Sequence, residues 1–166
     1  MPENLKPFIV VGVSDSVASK AALRWAADEA RRRGSRLVVV RVWEPAHIAS
    51  YVPHAQLVDA ASDRRAVTCE LANALYGTLG AKLPSYLFTK VIEGMPDRVL
   101  ADESAGADMI VLGSSSAPTI IGGSIGPVIR SCLSRGHCPV VVINPEDLAG
   151  RPQHRRGVSA ETAAVA

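Results

Sequence analysis

Residues Asp108–Asn144 read DMIVLGSSSAPTIIGGSIGPVIRSCLSRGHCPVVVIN. The segment opens with an apolar strand, Met109–Leu112, and breaks at Gly113 into a loop rich in glycine and serine. A helix follows, and a second buried strand, Pro139–Ile143, closes the segment. A strand, a glycine-rich loop and a helix N-terminus form a common anion site, because unpaired backbone N–H groups and the helix dipole converge there. An ordinary exposed turn has a similar composition, so the loop alone leaves both interpretations open.

The chain before this segment repeats the alternation of strand and helix. Continuous β-branched or aliphatic runs predict the strands, and apolar residues at helical spacing predict the helices. In chain order these elements are Phe8–Val13, Ser19–Arg33, Leu37–Trp43, Gln56–Lys82, Tyr86–Ile92 and a short helix from Pro96 that ends by Gly106. Strands that alternate strictly with helices require right-handed crossovers and a parallel sheet. The sequence therefore predicts an α/β fold.

The length of the chain, 166 residues, is that of about one domain, and a hydrophobic content of 48% is enough for a core. After Asn144 the hydrophobic periodicity disappears, and proline, glycine and arginine become frequent. We predict one domain at residues 1–144 and a flexible C-terminal tail at residues 145–166.

Charge and composition argue against several kinds of partner. The formal net charge is only +2 and aromatic residues make up 4%, so neither a nucleic-acid-binding nor a membrane-binding surface is indicated. No apolar run approaches the roughly 18 to 20 residues of a membrane span. Met1–Lys6 is polar and lacks the apolar region of a signal peptide, so we expect a cytoplasmic protein. Cys69, Cys132 and Cys138 lack metal-ligand spacing, which predicts unpaired thiols.

Five parts of the sequence together resemble the universal stress proteins of the UspA type. They are VVGVSDSVASKAALRWA at the first strand, VRVWEP at the second, EGMPDRVL before the fourth, VLGSSSAPTIIGGSIGP after it and CPVVVIN at the fifth. The resemblance covers Pro7–Asn144. It implies a five-stranded parallel sheet with helices on both faces, in the flavodoxin-like, adenine nucleotide alpha hydrolase-like order 3-2-1-4-5. The cleft would lie where strands one and four diverge.

The resemblance also implies a candidate nucleotide site. ATP, cyclic AMP or another adenine nucleotide is its possible ligand, and no cofactor is required. The residues at the matching positions are Val13, Ser14, Val42, Leu112, Gly113, Ser116, Gly126, Pro127 and Val128. A rival alignment uses Gly123 and Ser124 instead, which restores a hydroxyl but slips the spacing by three residues. We prefer Gly126, because Pro127 then falls at the first position of the helix.

Several residues depart from the family's binding pattern, G-x2-G-x9-G followed by Ser or Thr. Ser116 stands at the second glycine, where a Cβ restricts any positive φ. Pro127 stands at the Ser or Thr and supplies neither a hydroxyl nor an N–H. Ser14 replaces an Asp that meets the adenosine in binding members, whereas Val42 matches the position whose backbone faces the adenine.

Enzymatic function is not predicted. The chain has no phosphate-binding loop of the type G-x-x-x-x-G-K-[ST], and no lysine follows Lys90. Two hypotheses remain: a stress-linked binding or regulatory module with an adenine-nucleotide cleft, or a protein that has lost nucleotide binding and acts through its dimer surfaces. The family pairs through its last strand, and here Val140, Val141, Val142 and Ile143 form an uncharged strand that would otherwise invite aggregation. We therefore expect a homodimer.

Overall fold

The computed structural model of the chain describes residues 7–44, 60–114 and 125–145. Strands and helices alternate along these residues. They are β1 (Phe8–Gly12), α1 (Val17–Arg33), β2 (Arg36–Trp43), α2 (Ala60–Leu79), β3 (Leu87–Glu93), α3 (Pro96–Glu103), β4 (Met109–Gly113), α4 (Pro127–Arg135) and β5 (Val140–Ile143). The strands form one parallel sheet in the order β3-β2-β1-β4-β5. The predicted fold class and strand order are confirmed.

The observed elements differ from the predicted ones mainly at their ends. Helix α1 begins two positions earlier than predicted, because the Ser16 hydroxyl accepts a hydrogen bond from the Ser19 N–H and caps the helix. Helix α3 ends at Glu103 rather than at Gly106, which lies in the following turn with φ +76°. Of the predicted tail, residues 146–166 lie outside the described residues, as do the first residues of the predicted helix Gln56–Lys82.

Side chains of successive strand residues pack on opposite faces of the sheet. On one face, Ile9, Val11 and Val39 pack with apolar residues of α1 and α2. On the other face, Val10 and Ile110 pack with apolar residues of α3 and α4. The helices therefore cover both faces, as predicted. None of the helices within residues 7–44, 60–114 and 125–145 is long and apolar enough to cross a membrane.

A polar clip joins the two short helices α3 and α4. The Ser131 hydroxyl, which is buried, donates a hydrogen bond of 2.7 Å to the backbone oxygen of Asp97. The Arg135 guanidinium contacts both the Ser131 hydroxyl and the Asp97 carboxylate, the latter at 3.4 Å. Because Asp97 lies in the first turn of α3 and Ser131 in the middle of α4, the clip holds these helices together as one layer.

The end of β4 runs against the first turn of α1. A Cβ atom at Gly113 would lie 2.4 Å from the backbone carbon and oxygen of Ala18 and 2.6 Å from the Ser19 nitrogen. Backbone atoms cannot move aside as the end of a side chain can, so this position accepts no side chain without a shift of the helix.

We expect Gly113→Ala to destabilise the protein by about 1–3 kcal/mol, because the added methyl group overpacks this contact. Chemical denaturation would measure the loss. The matched control is Gly77→Ala within α2, where no described atom lies within 4 Å of the added Cβ. That control should gain up to about 1 kcal/mol from helix propensity. Equal effects of the two substitutions would contradict the contact.

The three cysteines are unpaired, as the sequence predicts. Cys69 is exposed, Cys138 is half-buried and Cys132 is buried between α4 and the sheet. Burial raises the pKa of the Cys132 thiol to about 11, and the neighbouring Cys138 adds to this shift. Burial also raises the pKa of Cys138. The folded protein therefore holds the Cys132 proton more tightly than the unfolded chain does.

This difference in pKa predicts a stability that depends on pH. The contribution of the Cys132 thiol is fully present below pH 9, the ordinary pKa, and is lost as the pH rises toward about 11. The stability difference between the wild type and Cys132→Ala should therefore shrink on the order of 1 kcal/mol between about pH 8 and 11. Cys69→Ala, at an exposed thiol, is the control. If the stability difference between the wild type and Cys132→Ala did not change with pH, the raised pKa of Cys132 would be refuted.

Candidate functional site

The sheet opens at the carboxyl ends of its two central strands. Pairing between β1 and β4 extends only as far as Val11 and Val111. Beyond that point Gly12 continues to pair with β2, whereas Leu112 continues to pair with β5. The chain then enters α1 on one face and α4 on the other. A parallel sheet binds ligands at such a point of divergence, because the two connections leave a crevice between them.

A cleft of about 190 Å³ lies at this point. Its wall comes from the ends of β1, β2 and β4 and from the first turns of α3 and α4, and it is apolar apart from two serines and one arginine. The lining residues are Gly12, Val13, Ser14, Ser19, Val40, Arg41, Val42, Pro96, Leu100, Leu112, Gly113, Val128 and Ile129. A small, mainly apolar cleft with few polar groups suits a planar ring that carries hydrogen-bonding edges.

Serine side chains shape the loop between β1 and α1. The Ser14 N–H donates to the Ser19 hydroxyl at 2.7 Å, and the Ser14 hydroxyl lies 3.1 Å from that of Ser16. Ser16 in turn caps α1. The Ser14 hydroxyl is exposed and lies at the cleft, so it can reach a ligand while it keeps its place in the loop.

Arg41 is the charged residue among those that line the cleft, although its side chain extends toward Glu70 of α2, on the face of the sheet opposite Val40 and Val42. One of its terminal nitrogens lies 2.8 Å from the Asp15 carboxylate and 3.0 Å from the Glu70 carboxylate, and the other donates to the Val13 oxygen at 3.4 Å. The Arg41 side chain is only 14% exposed. Its Nε is buried and has no hydrogen-bond partner within the described parts of the chain.

The N-terminus of α4 provides few groups to an anion. The helix begins at Pro127, which has no N–H. The N-cap residue is Gly126, which has no side chain that could cap the helix. Gly126 has φ −55°, an ordinary value that does not itself require glycine. Val128 and Ile129 follow in the first turn and line the cleft. Their backbone N–H groups are the ones this helix end can direct at a ligand.

The structure brings together most of the residues that the sequence predicts for the site. Val13, Ser14, Val42, Leu112, Gly113 and Val128 line the cleft. Gly126 and Pro127 directly precede Val128 but are not part of the lining, and Pro127 is the first residue of α4. Ser116, Gly123 and Ser124 lie outside the described residues.

Several lining residues are not predicted by the sequence. The pattern places Ser19 only in a helix, although its hydroxyl accepts a hydrogen bond from the Ser14 N–H. The pattern places Arg41 only in a strand, although a charged residue inside the apolar run LVVVRVW is an unusual feature that marks it. Pro96, Leu100 and Ile129 reach the cleft because α3 and α4 pack together, and the sequence carries no local signal for that.

Known proteins resemble this chain in sequence and in fold. The model of the universal stress protein family matches residues 8–144. A universal stress protein of Mycobacterium tuberculosis is 30% identical over 151 residues, which cover 88% of this chain and 51% of the relative. A second one from this species is 28% identical over 144 residues, with 84% and 48% covered. The chain thus spans about half the length of the curated relatives it matches.

Solved structures show the same fold. UspA from Lactobacillus plantarum superposes with a TM-score of 0.59 at 22% identity, over 83% of this chain and 97% of that one. A universal stress protein solved in complex with cAMP gives a TM-score of 0.54 at 22% identity, over 83% and 96%. With the family model matched over every strand and helix that the structure describes, the chain belongs to the universal stress protein family.

Proposed function

We propose that this chain is a non-catalytic stress-response module whose cleft binds an adenine nucleotide, with weakened contacts to the phosphates. The observation that carries the proposal is the convergence of the predicted nucleoside-contacting residues on one cleft. Ser14 and Val42, from two different strand ends, both line it. The cAMP complex of a protein with the same fold supports the choice of ligand class.

The composition of the cleft supports a binding role rather than catalysis. Its described lining contains no carboxylate, histidine, cysteine or lysine that could act as a general base or nucleophile. No group of three or more potential metal ligands occurs within the described parts of the chain. A regulatory module can work with this lining, because it needs to recognise the ligand without transforming it.

One segment of the sequence matches a motif of serine hydrolases in the spacing of its residues. Gly122–Gly126 reads GGSIG and matches the G-x-S-x-G spacing of a nucleophile elbow at Ser124. A nucleophile elbow requires the serine in a sharp turn directly after a strand. The described strand before this segment, β4, ends at Gly113, and Ser124 lies outside the described residues, so the spacing is the motif's support here.

Weak phosphate binding follows from the start of α4. A phosphate at a helix N-terminus accepts hydrogen bonds from free N–H groups and from a capping hydroxyl. Pro127 provides neither, and Gly126 provides no hydroxyl. At the nucleoside end Ser14 offers a hydroxyl in place of the Asp of binding members, and Val42 still lines the cleft, so adenosine should retain most of the affinity of ATP.

Pro127→Ser should strengthen the binding of ATP, because it supplies an N–H and a hydroxyl at the helix start. One well-formed hydrogen bond to a charged group contributes about 1.5–3 kcal/mol, so ATP should bind about tenfold tighter or more. Adenosine, which has no phosphate, should bind the variant and the wild type equally. Isothermal titration calorimetry with both ligands measures this. If no adenine ligand binds the wild type, the proposed function is wrong.

We also propose that the chain forms a homodimer through β5. This strand is at the edge of the described sheet and pairs with β4 on one side. Val142 in β5 is 43% exposed, and Leu133 in α4 is 58% exposed. Val141, by contrast, packs against the core and is not a suitable residue for testing the interface.

Val142→Lys should yield a monomer, because it places a charge in the proposed interface without entering the core. Sedimentation velocity would report the change in mass. Val17→Lys is the matched control, since Val17 is 74% exposed at the start of α1. The control should remain a dimer. A Val142→Lys protein with the mass of a dimer would place the interface elsewhere.

A further inference from the structure

The loop that carries Ser14 into the cleft is fixed locally by its own serines. The hydrogen bonds between Ser14, Ser16 and Ser19 connect residues no more than five positions apart. Such contacts determine the shape of the loop and its junction with α1. They do not determine how far the loop stands from β2, which forms the opposite wall of the cleft.

Three contacts with β2 set that distance within the described structure. The Val13 N–H donates to the Val40 oxygen at 2.9 Å, and the Val13 oxygen accepts from Arg41 at 3.4 Å. The third contact is the Arg41 bridge, by which we mean Arg41 with the carboxylates of Asp15 and Glu70. Arg41 lies in β2, Asp15 in the loop and Glu70 in α2. The bridge therefore connects three separate elements, with Arg41 among the residues that line the cleft and with Asp15 directly after the cleft residue Ser14.

Arg41 is an unfavourable residue for the sheet itself. It interrupts an otherwise apolar strand interior, its side chain is 14% exposed, and its buried Nε has no described partner. A buried polar group without a hydrogen bond opposes folding. An aliphatic residue would pack at this strand position without that penalty. The benefit of arginine at this position is thus its connection to the loop and to α2.

We infer that the Arg41 bridge is a positioning device for the nucleoside half of the ligand. By holding Asp15, it sets the separation between the neighbouring Ser14 and the backbone of Val42 across the cleft. The inference rests on the proposed function and deepens it. Because the phosphates lie at α4, away from the bridge, adenosine and ATP should depend on the bridge to the same degree.

The dependence of adenosine affinity on salt concentration distinguishes a positioning role of the bridge from a purely structural one, which would leave that affinity unchanged. Adenosine is uncharged, so added salt changes its affinity only through ion pairs within the protein. The Asp15 and Glu70 side chains are 72% and 51% exposed, so salt screens their pairing with Arg41. Raising the salt from about 20 to 300 mM should weaken adenosine binding to the wild type about twofold to threefold.

The test compares the wild type with the double variant Asp15→Asn and Glu70→Gln by calorimetry. The variant should bind adenosine about fivefold more weakly at low salt, bind ATP more weakly by the same factor, and show no salt dependence for adenosine. Circular dichroism confirms that the variant is folded. Glu103→Gln is the matched control, because it breaks the Lys90–Glu103 pair, which does not line the cleft. It should behave as the wild type.

The outcomes separate the two proposals. If the wild type binds adenosine, and the double variant binds it equally tightly with the same salt dependence, the bridge has no positioning role and the proposed function stands. If only ATP binding changes, the bridge acts on the phosphates and the inference is wrong. If the wild type binds neither ligand, the proposed function fails and the inference fails with it.

Discussion

The backbone contact between Gly113 and the first turn of α1 constrains the rest of the structure. It brings the end of β4 against Ala18 and so places the start of α1 directly beside the central strands. Because α1 closes the crevice between the diverging strands on its own face of the sheet, the crevice opens toward α3 and α4 on the other face. Ser19 lies at the same contact and also anchors Ser14. One close approach of two backbones therefore determines both the packing of α1 and the position of a cleft residue.

The alternation of elements was readable from the sequence because buried strands and amphipathic helices differ in hydrophobic period. The order of the strands was not contained in that period and came from the family resemblance. Cleft residues next to strand ends, such as Leu112, were implied by the family resemblance, and the local sequence placed the strand ends at which they lie. Leu100 and Ile129 could not, since their place depends on how two helices pack across the sheet. Arg41 gave a signal in the sequence, but its partner Glu70 is distant along the chain.

The polar groups of the cleft are distributed unevenly. Serine hydroxyls lie at the end of β1 and the start of α1, whereas the start of α4 offers a proline and a glycine. Under the proposed function, recognition in such a cleft depends on the ring and the sugar more than on phosphate charge, so that the number of phosphates has a smaller influence on binding.

The two helical layers differ in length, and this difference has consequences for motion. Helices α1 and α2 have 17 and 20 residues, whereas α3 and α4 have 8 and 9. Local opening costs less free energy where fewer apolar contacts must break. The short layer, held as a unit by the Ser131 clip to Asp97, can therefore open while the long layer stays folded. Amide hydrogen exchange in α3 and α4 should then be faster than in α1, and an occupied cleft should slow it. Under the proposed function, the layer that lines the cleft with Leu100 and Ile129 is therefore also the layer whose local opening responds to a bound ligand.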